Sequence, residues 1–251
     1  MSIIIAVWGS PSSGKTTTSA KIAFELANKT NQDTILLSND CITPTVPVFF
    51  PHLHKGDESR SIGKVLKQPD ISQNDILENS IVVSKNLPLI IAGYNYSENV
   101  MTYPSFNLNK ATELILQLSQ MAEFVVIDCT CNINNDELSK AALMQADIVF
   151  QLYKPEARSE YFFASQRSIL ANETFSNKDF LKIMRMGASK KLQATSEMQN
   201  IGNIKYTIPY SYSLTQQYEC AEMFQSLADD NYNKAIRKII DEVIINAATN
   251  G

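Results

Sequence analysis

The sequence lacks most of the features that mark secreted, fibrous or membrane-spanning proteins. Its 251 residues include only four cysteines (Cys41, Cys129, Cys131 and Cys220), too few for a disulfide framework in a chain of this length. The apolar start "MSIIIAVWG" has no basic residues before it and stops far short of the roughly twenty residues that cross a bilayer. We therefore expect a reduced, cytoplasmic protein without a transmembrane segment.

An excess of positive charge is also missing. The chain has 22 Lys and Arg against 26 Asp and Glu, a formal net charge of −4, and no clear basic patch for nucleic acid. Hydrophobic residues make up 44% and charged residues 19%, which is ordinary for a globular protein and argues against long disordered segments. The length allows one large domain or two small ones, and we expect a single domain spanning residues 1–251.

Short β-branched apolar segments alternate along the chain with longer segments of helical periodicity. This alternation predicts an α/β fold with a doubly wound, mostly parallel sheet of about seven strands and helices on both faces. The predicted strands are 3–8, 34–37, 87–93, 124–127, 148–153, 181–184 and 204–208, and the clearest predicted helices are 15–29, 110–121 and 232–247. Residues 41–85 have the least regular pattern, and we interpret them as a mobile insertion after the second strand.

Residues 9–16, "GSPSSGKT", match the phosphate-loop pattern G-x-x-x-x-G-K-[ST] and lie between the first predicted strand and helix. Small residues let backbone N–H groups turn inward around phosphate oxygens, and the helix N-terminus adds partial positive charge. We expect Lys15 to contact the β- and γ-phosphates, Thr16 to bind Mg²⁺ and Thr17 to assist at the α-phosphate. The full set of predicted binding residues in the loop is Gly9, Ser10, Pro11, Ser12, Ser13, Gly14, Lys15, Thr16 and Thr17.

Two aspartates follow predicted strands that end at the same edge of the sheet. Asp128 ends the apolar run in "EFVVIDCT", the Walker B arrangement, where it would hold Mg²⁺ through a water. Asp40 follows the second strand in "TILLSND" and is predicted to orient the attacking water; the less favoured alternative is that it caps a loop through an Asx-turn. The predicted catalytic residues are therefore Lys15, Asp40 and Asp128.

With these motifs in this order the chain resembles the MinD/ParA group of P-loop ATPases, and within it the CpaE/TadZ-type proteins of pilus and secretion machinery. The resemblance covers nearly the whole chain and rests on "GSPSSGKTT", "LLSND", "PLIIAG", "FVVIDC", "ADIVFQLYKPEARS" and "YTIPYSYSLTQQYECAEMF". It implies ATP and Mg²⁺ as ligands, an ATP-dependent homodimer and a protein partner in a larger assembly. It also implies that adenine lies near Arg185 and Pro209–Tyr210, although the family usually has Asn where this chain has "MRMG".

The sequence departs from the family at two acidic or basic positions. The family's loop, K-G-G-x-G-K-[ST], carries a signature lysine four residues before Gly14 that reaches the partner's phosphates across a dimer, and this chain has Ser10 there. Ser38 replaces the first acidic residue of the family's "IDxD" pair. A missing charge near the phosphates predicts slow hydrolysis and leaves nucleotide-dependent dimerisation open.

Three functions fit these residues. The favoured one is a weak switch ATPase that positions or regulates a larger assembly, since the sequence shows no obvious pocket for a second substrate. A small-molecule phosphotransferase would use the same loop but needs a basic lid. A nucleotide-bound scaffold with little hydrolysis fits Ser10. The candidates for a basic lid are Arg60, Arg185, Lys190 and Lys191.

Overall fold

A computed structural model describes residues 2–52, 59–95, 105–188 and 202–250. Within these ranges eight strands form one sheet in the order β3-β4-β2-β5-β1-β6-β7-β8. The strands are β1 Ile3–Gly9, β2 Thr34–Ser38, β3 Ile81–Ser84, β4 Leu87–Gly93, β5 Phe124–Asp128, β6 Ile148–Tyr153, β7 Phe180–Arg185 and β8 Tyr206–Ile208. Every neighbouring pair is parallel except β3 and β4, which confirms the doubly wound, mostly parallel sheet.

Helices cover both faces of the sheet, as predicted. They are α1 Lys15–Thr30, α2 Val46–Phe49, α3 Ile62–Leu66, α4 Gln73–Glu78, α5 Leu108–Met121, α6 Glu137–Gln145, α7 Ala157–Leu170, α8 Glu173–Ser176, α9 Tyr212–Glu219, α10 Asp230–Ile239 and α11 Asn246–Asn250, with a π-helical segment Ile240–Ile245 before the last. Successive side chains of a strand point to opposite faces. In β1, Trp8 and its even-numbered neighbours pack with α3 to α8, and Val7 and its odd-numbered neighbours pack with α1, α2 and α10.

The stretch 41–85 is the main difference from the sequence-based expectation. Its described residues form α2, α3, α4 and β3, and the apolar side chains Ile62, Val65 and Ile76 are each 1% exposed in the core. The interpretation of this stretch as a mobile insertion did not anticipate these helices, this strand or their packing into the core. Strand β3 was missed because it has four residues and lies at the edge of the sheet, where Val82 is 59% exposed and the apolar pattern is weak.

The remaining predicted strands and helices are found, with most ends within two residues of the predicted bounds. The C-terminal segment begins at Asp230, and Tyr232, Ile236, Ile240 and Ile244 are buried against the sheet face that also carries α1. This segment therefore closes the core. No helix in the described ranges combines the length and hydropathy that crossing a bilayer requires.

Candidate functional site

The loop between β1 and α1 has the backbone geometry of a phosphate-binding turn. Gly14 has φ 84° and Ser12 has φ 58°, two left-handed conformations that reverse the chain within a few residues. A β-carbon on Gly9 would lie 2.3 Å from the carbonyl oxygen of Leu152 in β6, so the strand packs too closely for a side chain there. No side chain caps the N-terminus of α1 at Gly14, and its first turn contains no acidic residue. The first amides of α1 are therefore available to an anion.

A cavity of about 960 Å³ opens beside this loop. It is bounded by the carboxyl ends of β1, β2, β5 and β7, which the parallel topology brings to one edge of the sheet. Nine of the predicted site residues line it: Pro11, Ser12, Gly14, Lys15, Thr16, Thr17, Asp40, Asp128 and Arg185. The other five, Gly9, Ser10, Ser13, Pro209 and Tyr210, are not among the lining residues, and an adenine contact by Pro209–Tyr210 stays a prediction.

Asp128 is a buried carboxyl group in the cavity, with a raised pKa. The strand register places it beside Val7 of β1 and Ser38 of β2, and it is 4% exposed. Burial raises the pKa of Asp128 to about 6; the Thr16 hydroxyl and the Lys15 ammonium oppose this rise, and the Asp40 carboxylate adds to it. Lys15 itself donates from Nζ to the carbonyl oxygen of Ser10 at 3.1 Å.

These residues fit a magnesium ion. Oδ1 of Asp128 is buried without a hydrogen-bond partner, and the Thr16 side chain is close enough to shift the pKa of this carboxyl. A carboxylate and a hydroxyl are the hard oxygen donors that Mg²⁺ accepts beside phosphate oxygens and water. Thr16 and Asp128 are therefore suited to hold the ion that the phosphate loop implies.

The Asp40 side chain forms an Asx-turn, the alternative to a catalytic role, and it also lines the cavity. Its Oδ1 accepts from the amides of Ile42 at 2.9 Å and Thr43 at 2.8 Å, and its Oδ2 accepts from the Thr43 hydroxyl at 2.6 Å. The carboxylate is thus held by its own loop at the site edge. A catalytic role for Asp40 stays a prediction.

Asn39 is a site residue that the sequence reasoning missed. It is 1% exposed, lines the cavity, and donates from its backbone amide to the Asp128 carbonyl oxygen at 3.1 Å. Its Nδ2 donates to Oγ of Ser139 at 3.3 Å, and its Oδ1 has no partner. The Ser139 hydroxyl donates to Asp136, so Asn39 must donate to it and its amide orientation is fixed. The sequence signal that could have identified Asn39 is its position directly before Asp40, just after the end of β2.

A hydrogen-bond network fixes the loop after Asp128. Asp136 caps α6 by accepting from the Leu138 and Ser139 amides, and it also accepts from the Thr130 hydroxyl at 2.7 Å. Oγ of Ser139 accepts from the Thr130 amide at 2.8 Å. The loops that follow β2 and β5 are therefore tied to the same helix end. The cap pattern of Asp136 and Ser139 was visible in the sequence, but its connection to Asn39 was not.

Ser10, at the signature-lysine position, faces the protein interior. It is fully buried, and its Oγ lies 2.8 Å from Oγ of Ser159 in the first turn of α7. Oγ of Ser159 also accepts from the amide of Lys154 at 3.3 Å. This position therefore contributes a neutral, internal hydrogen bond to the loop.

The sheet order and the loop between β1 and α1 define a P-loop NTPase fold, with an aspartate at the end of β5. The sequence matches no protein-family model and no curated protein sequence. The chain is similar in fold to several solved structures.

One is the septum site-determining protein MinD from Pyrococcus horikoshii OT3, complexed with Mg-ADP, at 15% identity and TM-score 0.73 over 100% of this chain and 99% of that one. A ParA family ATPase from Chlorobium tepidum TLS has 11% identity and TM-score 0.77 over 95% of this chain and 97% of that one. Cobyrinic acid a,c-diamide synthase from Mycobacterium smegmatis, with ADP and magnesium, has 15% identity and TM-score 0.66 over 100% and 97%. At these identities the likeness is one of fold.

Proposed function

We propose that the chain is a MinD/ParA-type switch ATPase that binds ATP and Mg²⁺ and hydrolyses ATP slowly to position or regulate a larger assembly. One observation carries the proposal: the uncapped start of α1, Lys15 and the buried Asp128 meet in one cavity. The fold shared with MinD and a ParA family ATPase supports it, and that MinD was solved with Mg-ADP.

In this proposal the first amides of α1 hold the phosphate chain, and Lys15 exchanges the Ser10 carbonyl oxygen for phosphate oxygens. Thr16, and Asp128 through a water, hold Mg²⁺, which neutralises charge on the β- and γ-phosphates when it is bound. We assign the orientation of a water to Asp40 and to the unpartnered Oδ1 of Asn39, because both residues line the cavity. That water attacks the γ-phosphorus, and the bond to the β–γ bridging oxygen breaks, which gives ADP and phosphate.

The expected rate is low. Position 10 supplies no charge to the phosphates, so Lys15, Mg²⁺ and backbone dipoles must meet the developing negative charge unless another cation substitutes. A missing preorganised donor costs about 10²–10³ in rate.

We further propose an ATP-dependent homodimer, a protein partner and the CpaE/TadZ branch of pilus and secretion machinery, on the sequence segments alone. Co-purification with pilus or secretion components would support this finer assignment, and co-purification with a chromosome-partitioning complex would contradict it.

A phosphotransferase is the second candidate, because the cavity offers room for a second substrate that the sequence did not reveal. It extends past the phosphate loop to Tyr94, Phe106 and Asn132. Cobyrinic acid a,c-diamide synthase, solved with ADP and magnesium, shares this fold. Of the basic-lid candidates, Arg185 lines the cavity, Arg60 donates to the carbonyl oxygen of Ser80 at 2.9 Å, and residues 190 and 191 lie outside the described ranges.

Calorimetry with ATP and Mg²⁺ tests the proposal. Lys15→Ala should weaken binding by at least about a hundredfold, because it removes a cation from desolvated phosphates. Lys29→Ala, on the exposed end of the same helix, is the matched control and should bind as the unsubstituted chain does. Equal affinity in the Lys15 variant would show that the loop is not the site.

Release of ADP and phosphate in equal amounts supports hydrolysis, and ADP without free phosphate supports transfer to an acceptor.

A further inference from the structure

Arg185, the last residue of β7, extends its side chain across the phosphate loop. A β-carbon on Gly14 would lie 2.4 Å from Nη1, 2.6 Å from Cζ and 2.7 Å from Cδ of Arg185. The guanidinium therefore occupies the space directly over Gly14, where a side chain would otherwise stand. Arg185 also lines the cavity beside Lys15 and Thr16.

This guanidinium has no anionic partner in the described part of the chain. The ion pairs found there do not include Arg185, and its Nε is buried without a hydrogen-bond partner. The charged groups that shift the pKa of Asp128 are Lys15 and Asp40, so Arg185 is not the counter-ion of that carboxylate. A partly desolvated, unpaired cation is unfavourable, and an anion bound in the cavity would relieve that cost.

Tyr232 of α10 supports Arg185 from the interior. Its hydroxyl is buried without a hydrogen-bond partner, as is that of Thr18 in α1. Burial raises the pKa of Tyr232 to about 12, and the nearby Arg185 and Thr18 oppose the rise, so these three side chains lie together behind the loop. The Asp229 carboxylate also acts on Tyr232, but it caps α10, where it accepts from the Tyr232 amide at 3.1 Å, and it is not in an ion pair with Arg185. Among the described residues, the positive charge of Arg185 is therefore left for a ligand on the cavity side.

We propose that Arg185 binds the phosphate chain of the nucleotide from within the same protein chain and supplies a positive charge that position 10 lacks. The inference rests on the nucleotide binding proposed above. Phosphates bound by the loop lie against the amides at the start of α1, and a guanidinium over Gly14 stands next to those amides. Its planar fork suits bidentate contact with phosphate oxygens. The ligand class is a di- or triphosphate, recognised by its charge and geometry.

This arrangement differs from a lysine that crosses a dimer interface. Ser10 is held inward by Ser159, and the substitute cation comes from the end of β7 in the same chain. The contribution of Arg185 to nucleotide affinity should therefore be the same at dilute and at high protein concentration. A cation supplied by a second protomer would act only where dimers form.

Titration calorimetry with two probes, ADP with Mg²⁺ and inorganic tripolyphosphate, tests the assignment. Arg185→Ala should weaken the binding of both probes by about tenfold to a hundredfold, and Arg185→Lys, which keeps charge but loses the fork, should fall between. Lys182→Ala is the matched control: it removes one positive charge from the same strand, three residues earlier and on the opposite face. It should change neither affinity by more than about twofold. If Arg185→Ala does not fold, Arg185→Gln carries the same expected loss.

Three results would overturn the inference. If the folded Arg185 variant binds both probes with unchanged affinity and Lys15→Ala loses binding, Arg185 does not bind the phosphates, and the proposed function still stands. A loss confined to ADP, with tripolyphosphate unaffected, assigns Arg185 to the base or ribose instead of the phosphates. Absence of binding by the unsubstituted chain refutes both the inference and the proposed function.

Discussion

Replacing Asp128 with Asn should stabilise the nucleotide-free protein while removing its magnesium-dependent nucleotide binding. Asp128 is 4% exposed, and burial raises its pKa from the ordinary 3.8 to about 6 even with Lys15 and Thr16 nearby. Each pKa unit corresponds to about 1.4 kcal/mol, so the ionised carboxylate lowers the free energy of unfolding at pH 7 by about 3 kcal/mol. Asn has the same shape without the charge, and it removes this cost.

The sign of the pH dependence follows from the raised pKa. Between about pH 4 and pH 6 the folded state binds more protons at Asp128 than the unfolded state does. The free energy of unfolding of the unsubstituted protein should therefore fall as the pH rises through this window. The difference between Asp128→Asn and the unsubstituted protein should grow from near zero at pH 4 to about 3 kcal/mol at pH 7.

Urea denaturation without nucleotide, followed by the fluorescence of Trp8, measures this difference. Trp8 is the single tryptophan of the chain and is fully buried. Asp33→Asn, at an exposed aspartate, is the control and should shift stability by less than about 0.5 kcal/mol. Calorimetry with ADP and Mg²⁺ at pH 7 should show the loss of binding. A stability difference that stays constant from pH 4 to 7, or a less stable Asp128→Asn at pH 7, would refute the reasoning about the buried carboxylate.

Two further substitutions separate structural from chemical roles. Asp40→Asn preserves an oxygen for the amides of Ile42 and Thr43 but removes the carboxylate, so ATP turnover should fall at least about tenfold with ADP affinity unchanged. Unchanged turnover would show that Asp40 has no catalytic role and only stabilises the turn. Lys21 is 2% exposed and donates to Gln217 at 2.6 Å and to the carbonyl oxygens of residues 223 and 225 at 2.7 and 3.0 Å. Lys21→Met should lower the free energy of unfolding by about 2–4 kcal/mol because it leaves these acceptors unpaired. Lys29→Met, which breaks an exposed ion pair on the same helix, should cost less than about 1 kcal/mol in urea denaturation, and equal losses would contradict the argument.

The elements that bound the candidate site could be predicted from the sequence because they depend on local properties. The strand ending at Gly9, the turn at Gly14 and the helix from Lys15 follow from apolar runs, glycine conformation and helical periodicity. Asp128 could be placed at the cavity because it ends a wholly buried strand next to β1. The catalytic role predicted for Asp40 stays a prediction, since its side chain forms an Asx-turn and also lines the cavity.

The sequence by itself determined the α/β alternation, the phosphate loop and the aspartate at the end of β5. Only the tertiary structure decided that Ser10 faces Ser159, that Asn39 is tied to α6 through Ser139, and that Arg185 lies over Gly14. These contacts join residues far apart in the chain. They depend on sheet order and on the direction of individual side chains, which hydrophobic periodicity does not encode because it reports only which face of one element is buried.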